Sequence, residues 1–377
     1  MNINEQTSLR QRLRAVQTEL IQGFGSEMGE PVTPVLGRLV HVLDWVRIEQ
    51  FVDDGCGVGR PPRERFALAN AFVAKAVLRL PTTVALIDRL KVDRALRRIC
   101  GFVWYKRLPD EATFSRGFAQ FAKERLAERV HEALIKEQLG EQLIGHISRD
   151  ATAIEARERP KSKPVDAQSV SALSKSAPPN KRKRGRPCTG EIRQPKAASR
   201  IERQRQQSIA VMLDELPQDC DRGTKCDAQG YKTSWNGYKL HLDTADCGVP
   251  ISAVLTSASV HDSQVAVPLS RLSAQRVTNL YDVMDAAYCS AELREDSRSL
   301  GHVPLIDHNA RGGIKVEFAP HEAERYKERT VAERMNARLK DEFGGNNVWV
   351  RTPAKVMSHL MFGVLVLSAD QLMRLLQ

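Results

Sequence analysis

The sequence predicts an α/β protein whose N-terminal third is helical and whose remainder mixes strands with helices. Three observations carry that prediction. From Ser8 to about Ile144 apolar residues recur every three or four positions, as in LRQRLRAVQTELI and FALANAFVAKAVLRL, the period of amphipathic helices. From Leu143 onward short runs alternate apolar with polar residues, the period of half-buried strands. Between the first such run and the next lies a basic block: residues 157–206 hold 15 Lys and Arg against 4 Asp and Glu, leaving 42 of each sign elsewhere. The formal net charge of +11 thus resides in one segment, and a concentrated block points to a polyanionic partner.

The totals exclude some classes. No run approaches the ~18 apolar residues of a membrane span; the longest, Met361 to Ala369, is interrupted by Gly363 and Ser368 and bounded by Asp370. The opening residues MNINEQTSLRQRLR lack an apolar signal core. Seven cysteines are scattered without a Cys-x2-Cys pair, which fits a reduced, cytoplasmic setting.

Gly and Pro punctuate the helical region. GVGRPP at Gly57 to Pro62 separates two units, and Leu80-Pro81-Thr82-Thr83 breaks the chain and caps a helix through Leu90. Asp110 is the expected N-cap of a helix running to Phe121. Arg89, Lys91, Arg94, Arg97 and Arg98 fit both a helix-turn-helix that meets DNA and the outer face of a bundle.

Leu143 to Ile154 reads as a strand, with Ile144, His146, Ser148 and Asp150 on one face and Ile147, Arg149 and Ala151 on the other. A carboxylate inside a strand calls for a metal or a basic partner, because burying an unpaired charge is costly. Glu155 is the neighbouring alternative to Asp150. The basic block is an arm, largely disordered when free. At its centre Arg184-Gly185-Arg186-Pro187, flanked by further cations, resembles the core of an AT-hook. There Gly lets the backbone lie close to a narrow minor groove while the two Arg reach along it. A generic phosphate-binding tail explains the same charge.

Trp235 to Asp243, a turn at Asp246-Cys247-Gly248 and Val249 to Thr256 read as a hairpin, and His261-Asp262 follows as a cap. Val277 to Met284 is a short strand ending in Asp285, which can face a cleft; Asp282 is its rival, and Asp262 a reserve candidate. A helix starts near Ala291, Val303 to Ile306 is a further strand, and Arg311-Gly312-Gly313 a loop. In YKERTVAERMNARLK, Tyr326, Arg329, Glu333 and Lys340 lie within an arc of about 60° at about 100° per residue. Val356, Leu360, Leu365 and Leu372 give a final helix a core-facing stripe.

The spacing Tyr-x2-Arg-x3-Glu-x6-Lys resembles the C-terminal signature of the DDE transposases of bacterial insertion sequences, in the IS-four and IS-five type group. The stretches GRPPRERFALANAFVAKAVLRL and WNGYKLHLDT are similar to parts of the same proteins, and Asp150-x-Thr152 resembles their first acidic motif. Asp285-Ala286-Ala287-Tyr288 matches their Asp-x-Gly-Tyr with Ala for Gly. The resemblance implies an RNase H-like, retroviral integrase-type catalytic domain, a mixed sheet flanked by helices, over residues 143–377, preceded by an all-α DNA-binding and dimerisation domain over 1–142. It implies Asp150, Asp285 and Glu333 as catalytic ligands of two Mg2+ or Mn2+ ions, hard cations suited to carboxylate oxygens. Tyr326, Arg329 and Lys340 are then expected to contact DNA. Only 48 positions separate Asp285 from Glu333, too few for an inserted β-domain. The partners implied are double-stranded DNA, as terminal inverted repeats and target, and a second copy of the chain, with no membrane. The setting is the bacterial cytoplasm, at the nucleoid. A catalytically inactive, transposase-derived repressor or architectural protein is the alternative, and an RNase H-like repair nuclease a third reading.

Overall fold

The computed structural model describes residues 33–53, 64–103, 105–160, 198–226, 230–310 and 314–376. The AT-hook-like Arg184, Gly185, Arg186 and Pro187, the GVGRPP stretch, the Arg311 loop and the first 32 residues lie outside them.

Helices fill the described part of residues 33–139: α1 (Pro34–Val46), α2 (Arg65–Val77), α3 (Thr83–Val92), α4 (Arg94–Ile99), α5 (Glu111–Lys123) and α6 (Leu126–Leu139). Their starts follow from short polar side chains that accept orphan amide protons. Thr82 Oγ1 accepts from Ala85 N at 3.1 Å and Asp110 Oδ1 from Thr113 N at 2.8 Å. α2 is apolar almost all round and is buried accordingly, from Ala67 to Val77 with Asn70 the one half-exposed position.

The remainder forms a six-stranded mixed sheet of β1 (Leu143–Glu155), β2 (Asp221–Cys226), β3 (Lys232–Ala245), β4 (Pro250–Ser257), β5 (Thr278–Met284) and β6 (Val303–Ile306). The order is β2-β3-β1-β5-β6, with β4 also on β3. β1 runs antiparallel to β3 and parallel to β5, and β5 runs parallel to β6. The parallel crossovers are made by α9 (Ala266–Ala274) and α10 (Ala291–Ser299), as parallel pairing requires. β2 was not foreseen. Its DRGTKC sequence is polar and carries no apolar alternation, and backbone pairing from Asp221↔Gly237 to Cys226↔Lys232 makes it a strand.

The acidic-basic signature falls on two helices, not one. α11 (Pro320–Tyr326) ends at Tyr326, Lys327–Arg329 form a 3-10 turn, and α12 (Thr330–Glu342) carries Glu333 and Lys340. The regular 100° arithmetic therefore breaks between Tyr326 and Arg329. The turn is held from outside: Ser148 Oγ on β1 donates to the Glu328 carbonyl at 3.0 Å, and Thr330 Oγ1 to the Lys327 carbonyl at 3.1 Å.

The last helix, α13 (Pro353–Leu375), is long and apolar enough to cross a membrane by length and composition, yet 83% of its apolar 18-residue stretch is buried inside the fold. It packs on α6, α2, α5 and α1 as well as on β4, so one apolar core runs from the N-terminal helices to the sheet. Gly363 marks its closest approach, since a Cβ there would meet the Phe343 carbonyl oxygen at 2.6 Å. Its Asp370 binds Arg338 of α12 at 2.6 Å and Arg374 at 3.0 Å.

The ends of the basic arm depart from the expectation of disorder. Ser199 opens a capping box on α7 (Arg200–Gln204), followed by α8 (Ile209–Asp214). Gln204 is fully buried and donates to the Gln264 carbonyl at 2.9 Å, and Arg205 reaches Glu295 at 2.7 Å. At the other end Glu158 accepts from the Tyr238 hydroxyl and from Thr352 N. Long-range contacts supply here what local periodicity lacks.

Candidate active site

β1 and β5 are adjacent and parallel, with Arg149 opposite Met284. Asp150 and Asp285 are the next residues on each, so the register alone brings the two acids side by side. Alternation also divides β1 as expected. Arg149 points to the opposite face, where Nε and Nη2 donate to Asp243 Oδ1 and Oδ2 at 2.7 and 2.8 Å, and Nη1 lies 3.3 Å from Met284 Sδ. One guanidinium thus braces three strands directly behind the two acids.

On the acid face, Asn336 of α12 donates from Nδ2 to Asp150 Oδ2 at 3.0 Å. Asp285 caps a short 3-10 turn, Ala286–Tyr288, by accepting from Ala287 N at 2.9 Å. Burial, and then the charge of Asp285, push the Asp150 carboxyl up to about 6. Burial likewise raises Asp285, with Asp262 adding to the effect while Arg329 and Lys225 oppose it. Burial is the leading cause in both acids, and Arg329 opposes it in both.

Glu333 stands apart. It is half-exposed and paired with Arg329 at 3.0 Å, in the i,i+4 geometry of a helix. Arg329 itself lies within electrostatic reach of Asp150 and Asp285, so it links the third acid to the first two. Tyr326 packs on Phe318 with ring centroids 4.7 Å apart, and burial raises its hydroxyl to about 12. Lys340 is half-buried, which lowers its amine, and the nearby Lys225 lowers it further.

The rivals sort clearly. Asp282 is buried on the far side, accepting from Asn279 at 3.2 Å, His302 at 3.1 Å and the Ser297 hydroxyl. Burial works against its charge, and the His302 hydrogen bond and the Arg149 charge hold it below the usual range. Asp262 pairs with Lys239 at 2.8 Å, but its charge reaches both Asp285 and Tyr288.

Among the described residues, three buried polar atoms of side chains at or beside the acids have no hydrogen-bond partner: Tyr288 Oη, Asn336 Oδ1 and Arg329 Nε. Such atoms are rare and costly unless something completes them. Two desolvated carboxylates with raised pKa values and orphaned neighbours suit a divalent cation with its waters. The hard oxygen donors suit Mg2+ or Mn2+. Among the described residues, however, no three His, Cys, Asp or Glu side chains are grouped to hold a metal ion. Asp150 and Asp285 fit one; Glu333 fits only by leaving Arg329.

Sequence reasoning missed Asn336 and Lys225. Asn336 sits three residues after Glu333, a helical neighbour spacing that could have flagged it, whereas Lys225 lies on the unforeseen β2.

Two stretches of the chain match known families. Residues 198–368 match the family described as Transposase DDE domain, and residues 29–120 the family described as Transposase domain (DUF772). The first match holds Asp285, Glu333 and the signature residues, while Asp150 precedes it. No curated protein and no solved structure matches the chain. A DDE domain implies an RNase H-like fold, with which the mixed sheet and its flanking helices are consistent. DDE domains generally use divalent metal ions, and transposases act on DNA. Taken together, the two matched stretches support a DDE transposase.

Proposed function

We propose that this chain is an insertion-sequence transposase of the IS-four and IS-five type group, which hydrolyses the strand at element ends and joins the freed 3′-OH to target DNA. The observation that carries the reading is the pairing of Asp150 with Asp285 through the β1–β5 register, both acids desolvated and raised in pKa, with Asn336 Oδ1 and Tyr288 Oη left without partners among the described residues. Asp150, Asp285 and, once released from Arg329, Glu333 would together hold two Mg2+ or Mn2+ ions. When bound, such ions stabilise the attacking and leaving oxygens of a phosphodiester.

The other residues bind and orient. Arg329, half-buried beside the acids, can exchange Glu333 for a DNA phosphate, a planar fork matched to phosphate oxygens. Lys340 and Tyr326 flank the same face. Lys225, drawn close to Lys340 with no ion pair among the described residues, supplies a further phosphate contact. In this reading residues 1–142 recognise terminal inverted repeats and pair subunits, residues 143–377 carry the chemistry, and Arg184, Gly185, Arg186 and Pro187 add minor-groove affinity. A homodimer on paired ends at the bacterial nucleoid is the working assembly.

One observation favours a second reading. Glu333 is engaged by Arg329 and not grouped with the other acids, as suits a repressor that binds ends without cutting. The test is cleavage and strand transfer on a labelled duplex carrying the element's terminal repeat, in Mg2+ or Mn2+ and then EDTA. Metal-dependent nicking that Glu333→Gln abolishes while binding persists supports the transposase. Tight binding without nicking in either metal supports the repressor.

A further inference from the structure

We infer that Asn336 is a positioning residue for the metal-dependent reaction, fixing the Asp150 carboxylate with its amide nitrogen and receiving a water or hydroxyl proton with its oxygen. The inference rests on the reading of Asp150 as a metal ligand and assigns a partner to an atom that reading leaves unexplained.

The geometry points one way. Asn336 is 5% exposed, and its Nδ2 donates to Asp150 Oδ2 at 3.0 Å. A flipped carboxamide would set its oxygen against a carboxylate oxygen, so the donor must face Asp150 while that acid is ionised. The Asn336 Oδ1 that results is buried and without a partner. A carboxamide oxygen accepts a proton or ligates a hard cation, so what completes it is a donor or the ion itself. A phosphate diester oxygen is excluded; a water, a hydroxyl, an amine or the ion remains. Mg2+ and Mn2+ retain several waters when held by one or two carboxylates. The waters of an ion on Asp150 are therefore the donors chemically suited to this oxygen.

The same contact fixes the orientation of the Asp150 carboxylate, whose oxygens keep lone pairs for a cation. α12 thus acts on the site twice, through Glu333 and one turn later through Asn336. Its approach to β1 is registered by the Ser148 hydroxyl on the Glu328 carbonyl. Groups that orient a metal ligand typically change metal affinity by about 10–100-fold when removed.

The test is Mn2+ titration of the full chain without DNA, followed by water-proton relaxation, on wild type, Asn336→Leu, Asn336→Asp and Asp150→Asn, with Tm in EDTA for each. Asp150→Asn should abolish the high-affinity phase. Asn336→Leu should weaken it about 10-fold or more while keeping a cooperative melt. Asn336→Asp, with a second carboxylate beside Asp150, should lower Tm in EDTA but gain a larger Mn2+-dependent rise than wild type. A merely structural asparagine would lower Tm in both variants and leave Mn2+ affinity unchanged. That result, with Asp150→Asn still defective, overturns the inference and spares the metal reading. Mn2+ binding unaffected by Asp150→Asn overturns both. If Asn336→Leu does not fold, the sign of the Mn2+ effect in Asn336→Asp decides.

Discussion

Replacing Asp243 by Ala should be among the most damaging single changes outside the acids themselves. Asp243 and Arg149 are buried together, with side chains 0% and 3% exposed, and the Ser273 hydroxyl also donates to Asp243 Oδ2 at 2.7 Å. Removing the carboxylate leaves the guanidinium in the core with the Met284 sulfur at hydrogen-bond distance and the buried Asp282 charge nearby, but without its hydrogen-bonded counter-ion. Breaking one side of a buried pair costs about 3–5 kcal/mol, because the surviving charge loses its compensation. Unfolding entropy of about 2.1 cal/mol/K per residue, taken over 377 residues, is about 0.8 kcal/mol/K, so Tm should fall by about 4–6 °C. Urea unfolding followed by circular dichroism measures the loss directly, with an unchanged m-value expected. The double variant Arg149→Met with Asp243→Leu should recover most of it, as apolar replacement of a buried pair often does. A loss below about 1 kcal/mol for Asp243→Ala would refute the argument that this pair braces β1, β3 and β5. Because Arg149 and Met284 immediately precede Asp150 and Asp285 on their strands, the single variant should also lose cleavage at temperatures where it remains folded.

Two further outcomes follow from buried groups. His131, His241 and His359 are all depressed to about 3, by burial first. A folded pKa below the unfolded value of about 6.5 gives stability that is fully present above pH 6.5 and lost as pH falls toward 3. Each should cost about 1.4 kcal/mol by pH 5.5. His241→Gln should therefore lose about that much less than wild type between pH 7.5 and 5.5 in urea unfolding, and parallel profiles would contradict it. Gly363→Ala forces a Cβ against the Phe343 carbonyl and should destabilise by about 1–3 kcal/mol, read as a lower urea midpoint. A neutral result would mean that α12 and α13 can separate without cost.

The groups of the candidate site were legible in the chain as local patterns. A carboxylate inside a β-period run, a second at the end of a short strand and a Tyr-Arg-Glu-Lys spacing are local patterns, and local patterns survive without coordinates. The caps at Thr82 and Asp110 and the burial of the final helix were legible for the same reason. Gly363 interrupts an apolar run in the sequence, and only the fold shows that it lets that helix lie against Phe343 and Leu339 at the end of α12.

What the sequence determined by itself was the set of chemical groups and the period of the elements that bear them. Tertiary structure decided which groups meet. The side-by-side setting of Asp150 and Asp285 depends on β1–β5 register, and the Arg149 brace on two further strands. The 3-10 break before Arg329 depends on a serine 180 residues away in sequence, and the Asn336 contact on how α12 lies across β1. β2 exists because β3 offers it unpaired backbone, not because its own residues favour a strand. Glu333 meets Arg329 for a local reason instead: the two stand at i,i+4 across the join of the 3-10 turn and α12, while the site that would draw the carboxylate inward gains its attraction only from a cation.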